Sequence, residues 1–277
     1  MLQTLYNESV KLAHLIAIVS FFTIFTVLVV SPITLYAQQT PSTFDTAKQA
    51  YIATLNTYRE KEQQFSVAHE QYLQLQTLAL LDVAVAASRN VQLARIGTLT
   101  SYFQTLLTYI SDLKGLDLTK RAEQQTKIQQ ILDDLNVQKL LVDAAQDRVA
   151  LDVASTQFSE RQTPLLSTAY MTLALSKIAA MQYAIDQLRI VSTQLRADID
   201  QQTIDVSKKT EKLRGFDELQ RTMDIADVFM KKTDEQLGFS TNQTPMSLST
   251  YVRIIDGLNA VYSKVLQAES FVKELAQ

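Results

Sequence analysis

The chain has 277 residues with no cysteine, five glycines and four prolines, and a formal net charge of -3. Without cysteine it forms neither a disulfide nor a thiolate metal site, so an exported form would depend on its hydrophobic core. The sequence pI near 5.5 and the lack of a cluster of Lys and Arg argue against nucleic acid as a partner. The shortage of Gly and Pro predicts long helices joined by few connections.

The first feature along the chain is a segment from Leu12 to Gln39 in which only His14 can carry a charge. Residues 12–31 are mostly apolar, and a helix of this length rises about 30 Å, the thickness of a bilayer's hydrocarbon core. Such a segment directs export or anchors a protein in a membrane. We therefore expect residues 1–37 to be a signal peptide or an N-terminal membrane anchor, and residues 38–277 to be a single elongated helical-bundle domain.

Two outcomes remain open for this segment. Pro32 would end the apolar helix, and Ala37 is a plausible last residue before a cut at Gln38, so both favour a removed signal peptide. Leu35 is large where a small residue is preferred, and the apolar stretch is long for a signal, which favours a retained anchor. If it is retained, we expect residues 12–31 to be the only part of the chain that enters a membrane, with the amino terminus inside.

Prolines and glycines divide the remaining chain into predicted helices. A capping hydroxyl precedes a proline suited to the first helical turn at three places, which are Thr40-Pro41, Thr163-Pro164 and Thr244-Pro245. A cation shortly before a glycine, typical of a helix end, occurs at Gly97, Gly115 and Gly215. These signals predict helices at 42–96, 98–114, 117–160, 164–214, 216–237 and 247–276, with a loop at 239–246.

Heptad spacing predicts how these helices pack. Aromatic residues recur every seven positions along the first helix, at Phe44, Tyr51, Tyr58, Phe65 and Tyr72. A second seam in the 164–214 helix contains Met171, Ala174, Ile178, Met181, Ile185, Leu188, Ser192, Leu195, Ile199, Gln202, Val206, Lys209 and Leu213. A rougher seam through Ile128, Ile131, Leu135, Val142, Ala145 and Val149 is interrupted at Gln138. The predicted fold class is all-α, an elongated antiparallel helical bundle with coiled-coil-like long helices.

Two stretches are apolar almost all round, residues 78–87 and 164–185, and each is broken by one ionisable residue, Asp82 or Lys177. A helix without a polar face is either buried on all sides or spans a membrane. A charge at the bilayer centre is costly, so we expect both stretches to be buried central helices.

The aromatic stripe of the first helix has two interpretations. It is either an internal seam whose rings face small side chains on a partner helix, or a groove for an external helix or an extended polymer. Three of its five rings are Tyr, whose hydroxyl favours water or a partner, so part of the stripe is expected at a bundle edge.

The sequence contains no recognisable catalytic or metal site. His69 is the one histidine beyond the export segment, and it lacks the Glu-x-x-His spacing of di-iron bundles. There is no Gly-x-Ser-x-Gly elbow and no glycine-rich phosphate loop. The acidic pairs Asp133-Asp134 and Asp217-Glu218 are expected on the surface, because adjacent helical residues point in different directions. We therefore predict that the protein is not an enzyme and has no catalytic, cofactor-binding or metal-binding residue and no cofactor.

The function expected from these observations is that of an exported, non-enzymatic structural or protein-interaction helical bundle of the cell envelope or surface, in a bacterium. Its expected partner is another helical or envelope protein. One alternative is an extracytoplasmic, sensor-like bundle that binds a small molecule between its helices. A further alternative is a membrane-inserting protein that exposes residues 78–87 or 164–185 after a rearrangement.

Overall fold

The structure is a computed structural model that describes residues 42–201, 205–243 and 245–276, within which all regular structure is helical. The helices of these ranges are α1 (Thr43–Leu75), α2 (Leu78–Asp112), α3 (Leu118–Ala144), α4 (Arg148–Glu160), α5 (Gln162–Gln201), α6 (Val206–Gln243) and α7 (Leu248–Leu275). The all-α prediction is confirmed. These helices belong to one compact unit, Thr43–Gln277. The predicted export segment and Thr40-Pro41 lie outside the described residues.

Polar side chains cap the first turns of four helices. Their oxygens accept hydrogen bonds from backbone amides of the following turn, and the capping residues are Thr77 for α2, Asp117 for α3, Asp147 for α4 and Ser247 for α7. Pro164 lies in the first turn of α5, as predicted, because an amide there needs no partner within the helix. The prediction that Thr163 caps this helix is wrong, since α5 begins at Gln162. The prediction for Pro245 is wrong, since Ser247 caps α7 and α6 continues to Gln243. The predicted loop at 239–246 is correspondingly shorter.

Two of the three predicted glycine stops are wrong. α2 continues through Gly97 and α6 continues through Gly215, where the side chain of Leu275 in α7 packs closely against the glycine. Only Gly115 lies at a helix end, with a left-handed φ of 78°. A cation before glycine is therefore a weak signal, because glycine also permits close helix packing.

The structure divides or shortens three of the predicted helices at positions that are not glycines. The predicted helix 42–96 is divided at Gln76, which has a left-handed φ of 50°, and Thr77 caps the helix that follows. The predicted helix 117–160 is divided at residues 145–147, where Asp147 supplies a new cap. The predicted helix 164–214 ends at Gln201. The first two of these breaks use side-chain caps and a left-handed glutamine, which the Gly and Pro signals do not predict.

Paired contacts show the directions of several neighbouring helices. In three pairs of helices, the residue numbers of the contacts increase along one helix and decrease along the other. These pairs are α1 with α2 (Phe44–Tyr109, Thr54–Thr98), α2 with α3 (Arg89–Val142, Ser111–Gln125) and α6 with α7 (Gly215–Leu275, Thr233–Gly257). These pairs are therefore antiparallel. α5 and α7 run in the same direction, because Tyr170 meets Tyr251 near their starts and Leu188 and Leu195 pack in one cluster with Ala268 and Leu275 further along both helices.

The first half of α5 is buried on most sides, as predicted for residues 164–185. α5 contacts α2, α3, α4, α6 and α7. Its buried side chains include Leu165, Ala169, Met171, Ala174, Leu175, Ile178, Ala179 and Ile185. The predicted seam continues through Ser192 and Ile199. Gln202 lies outside the described residues, and Val206, at the start of α6, is 79% exposed.

The matching prediction for residues 78–87 is wrong. Leu78 is 82% exposed and Val83 is 51% exposed, although Ala84 is buried. This stretch begins α2 immediately after the turn at Gln76, so fewer helices surround it than surround α5. None of the helices in the described ranges is long and apolar enough to cross a membrane.

Two glycine substitutions test the helix assignments. In Gly97→Ala the added methyl group has no neighbour within 4 Å, so we expect the free energy of unfolding to rise by about 0.5–1 kcal/mol. In Gly115→Ala the methyl group would overlap the Ala179 carbonyl oxygen and lie 2.9 Å from the Tyr183 amide nitrogen, at a left-handed φ. We expect it to lower the free energy of unfolding by about 2 kcal/mol or more. Urea unfolding followed by circular dichroism measures both, and equal effects would contradict the assignments.

Candidate functional site

The aromatic stripe of α1 packs against α2. Phe44 lies against Tyr109 with ring centroids 4.9 Å apart, and Tyr51 lies against Tyr102 at 5.5 Å. Tyr58 is 2% exposed. The interpretation as an internal seam is confirmed for these rings, but they face other rings as well as small residues. The alternative interpretation, an external groove, is wrong for this part of the stripe, because α2 already covers it.

Threonines of α2 alternate with these ring pairs. The Thr98 hydroxyl lies 3.0 Å from the carbonyl oxygen of Thr54 in α1, and the Thr105 hydroxyl lies 3.1 Å from that of Ala47. Each hydroxyl is also within hydrogen-bond distance of the carbonyl four residues earlier in α2, so its one hydrogen has two acceptors. Both threonines are buried. The small side chains bring the two backbones close and fix the register of α1 on α2.

Four tyrosines from four helices meet next to this seam. Tyr102 of α2 lies near Tyr51 of α1, Tyr170 of α5 and Tyr251 of α7, and the last two rings stack with centroids 5.3 Å apart. The Tyr102 hydroxyl is buried without a hydrogen-bond partner among the described residues. Burial, and to a smaller extent the neighbouring tyrosines, raise the pKa of Tyr102. The raised pKa keeps the Tyr102 ring uncharged, so α1, α2, α5 and α7 contact one another here through uncharged tyrosine rings.

The most exposed apolar residues of α1 and α2 surround the turn between these helices. We define the hairpin tip as residues 71–81, a stretch without a charged residue that lies between Glu70 and Asp82. Within it, Leu73 is 52%, Leu75 is 68% and Leu78 is 82% exposed. Three exposed leucines close to one turn are more than scattered single residues, so this tip is a candidate interaction surface.

Three backbone amides of the hairpin tip donate hydrogen bonds within the turn. The Gln76 amide donates to the Tyr72 carbonyl at 2.8 Å, and the Leu81 amide donates to the Thr77 carbonyl at 3.0 Å. The Leu80 amide donates to the Thr77 hydroxyl at 3.3 Å. The turn therefore reverses the chain without leaving these amides dependent on water.

The hairpin tip lies beyond the point where α3 supports α2. Arg89 of α2 donates through its guanidinium to the carbonyl oxygens of Val142 and Asp143 at the end of α3. Along the α2 helix, Leu78 lies about 16 Å from this contact. The sequence did not predict this exposed tip, because the aromatic heptad continues to Tyr72 and indicates a packed helix face up to that residue. The absence of charge from residue 71 to residue 81 is the signal that could have revealed it.

Buried polar groups between α2, α3 and α4 explain the interrupted heptad at Gln138. Gln138 is 1% exposed, and its Nε2 donates to the Ala154 carbonyl at 2.7 Å. Two neighbouring cavities of about 10 Å³ each share Gln138 and Phe158 in their walls. Each has room for about one water molecule. This region has polar groups but lacks the volume for a metabolite.

The other residues considered in the sequence analysis contact neighbouring side chains. His69 stacks on Phe65 with ring centroids 5.6 Å apart. Asp134 pairs with Arg161 at 3.2 Å, and Glu218 pairs with Arg221 at 3.6 Å. No group of His, Asp or Glu within the described ranges is arranged to hold a metal ion.

Comparison with known proteins gives no assignment. No protein-family model matches the chain, and neither a curated protein nor a solved structure matches it.

The buried tyrosines predict that alkaline pH destabilises the bundle. Burial, reinforced by the nearby Glu62 carboxylate, raises the pKa of Tyr58 from its ordinary value of 10.0 to about 12. Between these values the unfolded chain holds fewer protons than the folded chain, so the free energy of unfolding falls as pH rises. One such group contributes a slope of about 1.4 kcal/mol per pH unit, and other buried tyrosines steepen it.

Urea unfolding at several values of pH from 8 to 12 measures this slope, and tyrosinate absorbance reports ionisation. We expect tyrosinate to form together with the loss of helix, and Tyr58→Phe to make the slope shallower. Return to pH 8 should restore the helical signal, which controls for chemical damage. Unchanged stability up to pH 12 would show that Tyr58 is not buried as described.

Proposed function

We propose that the chain is an exported, non-enzymatic structural or protein-interaction helical bundle of the cell envelope or surface. The observation that carries the proposal is the hairpin tip, which is exposed and uncharged. The helices of the bundle otherwise pack against one another. Single exposed leucines are common on protein surfaces, whereas a group of them at one turn is typical of an interaction site. The apolar residues 12–31 supply the argument for export.

A second set of exposed apolar side chains supports a protein partner. They flank the turn between α3 and α4, and they are Val137, Leu140, Leu141, Val149 and Val153, each at least 40% exposed. Arg89 connects this turn to α2 through two carbonyl oxygens, which places both apolar sets on neighbouring helices. Another helical or envelope protein, presenting its own apolar face, suits this surface.

The sensor-like alternative has less support from the geometry. The two cavities beside Gln138 have volumes of about 10 Å³ each, so a small-molecule ligand at that place would require the helices to separate. A metabolite that raises the melting temperature would favour this alternative, because a ligand bound to the folded state stabilises it.

Fractionation of a bacterial host tests the export part of the proposal. We expect a carboxy-terminally tagged full chain to be found outside the cytoplasm, where added protease can reach it after the outer layers are opened. The matched control lacks residues 1–37 and should stay in the cytoplasm.

Sequencing the amino terminus of the exported form then separates the two outcomes for the segment. A start at Gln38 would show cleavage, whereas a start at Met1 would show a retained anchor. A full chain that remains wholly cytoplasmic, like the control, would contradict the proposal.

A further inference from the structure

We propose that one of the two cavities beside Gln138 binds a single ordered water molecule, which bridges Gln92 of α2 to Gln138 of α3, and that the other cavity stays dry. The first is called the Gln92 cavity and the second, beside Leu165, the Leu165 cavity. Both lie within the bundle, so the water site does not depend on the proposed export or interaction role.

Two buried amide atoms at the Gln92 cavity need hydrogen-bond partners. Gln92 Nε2 and Gln138 Oε1 are shielded from solvent, and neither has a hydrogen-bond partner among the described residues. Buried polar groups of folded proteins are nearly always hydrogen-bonded, either to protein or to ordered water. Both side chains line the same cavity of about 10 Å³, which is the space that one water molecule requires. One water molecule can therefore serve both atoms.

The orientation of the Gln138 amide follows from its other hydrogen bond. Its Nε2 donates to the Ala154 carbonyl of α4 at 2.7 Å. Exchanging the amide nitrogen and oxygen would bring two acceptor oxygens together, so Oε1 is the atom that still needs a donor. Gln92 contributes a donor, Nε2, to the same cavity. A molecule between the two amides must therefore accept one hydrogen bond and donate another.

The polar groups of the wall select a neutral molecule over an ion. The Arg95 guanidinium, which lies over the Phe158 ring at 4.5 Å, lines this cavity and disfavours a cation. The Gln138 oxygen disfavours an anion. Water both donates and accepts, and the hydroxyl of Ser155 in α4 lines the same wall as a third partner. Three hydrogen bonds are typical of a buried water molecule, so this one connects α2, α3 and α4.

The Leu165 cavity has about the same volume but an apolar wall. Most of this wall is formed by Ile131, Leu135, Pro164 and Leu165. Its two ionic residues, Asp134 and Arg161, pair with each other at 3.2 Å. A water molecule there would lack the two to four polar partners that it requires. The two cavities are therefore matched in size and differ in polarity, which makes one the control for the other.

A crystal structure of the full chain, at a resolution that shows ordered water, tests the site directly. We expect one density peak at about 2.7–3.2 Å from both Gln92 Nε2 and Gln138 Oε1, and none in the Leu165 cavity. Crystals soaked in bromide provide the control for an ion. An anomalous peak between the two amides would assign the site to an anion, and would contradict a water molecule.

Methionine variants test the same bridge in solution, because methionine keeps the length of glutamine and removes its polar atoms. Gln138→Met should lower the melting temperature by about 3 °C or more, since the Ala154 carbonyl and the Gln92 amide both lose partners. In that background, Gln92→Met should have about half of its separate effect or less, because its bridged partner is already gone. Gln130→Met, at an exposed glutamine of α3, is the matched control and should leave the melting temperature unchanged.

Four results would overturn the proposal. They are no density between the two amides, a direct hydrogen bond from Gln92 to Gln138, equal density in both cavities, and fully additive losses of melting temperature in the double variant. Circular dichroism checks that each variant is folded. If Gln138→Met does not fold, the crystal structure of the unchanged chain still decides the outcome.

Discussion

The register between α1 and α2 is the constraint on which the rest of the structure depends. Ring pairs and threonine contacts alternate along this interface, and successive contacts of each kind are seven residues apart on both helices. The rings contribute buried area, and the threonines permit close approach of the backbones through Thr98 and Thr105. Because the chain has no cysteine, no disulfide replaces this packing. A slip of one residue would turn both sets away from each other.

This register allows one end of the hairpin to extend past its support. α1 and α2 stabilise each other along their length, so the turn at Gln76 does not need α3 or α5 around it. The leucines of the hairpin tip therefore remain exposed while Tyr58, further along α1, is buried. The contacts that stabilise α1 and α2 are separate from the exposed leucines of the same two helices, so this apolar surface stays free for a partner.

The sequence predicted helical structure and packing faces better than it predicted where helices end. The scarcity of Gly and Pro indicated long helices, and the heptads at Tyr51 and at Ile178 identified buried faces correctly. The ends were missed where the chain uses a side-chain cap, as at Asp147, or a left-handed glutamine, as at Gln76. The interaction surface was missed because exposure depends on which helices lie nearby. An apolar run has the same sequence pattern at an exposed turn as in the buried middle of α5.

The central claim is that the leucines of the hairpin tip do not help to hold the folded bundle together. The most direct test is the free energy of unfolding of the Leu75→Gln, Leu78→Gln double variant in urea, compared with the unchanged chain. Because both side chains are largely exposed, the two values should agree within about 0.5 kcal/mol. A loss of about 2 kcal/mol or more would show that these leucines are packed in solution, and would contradict a free apolar tip.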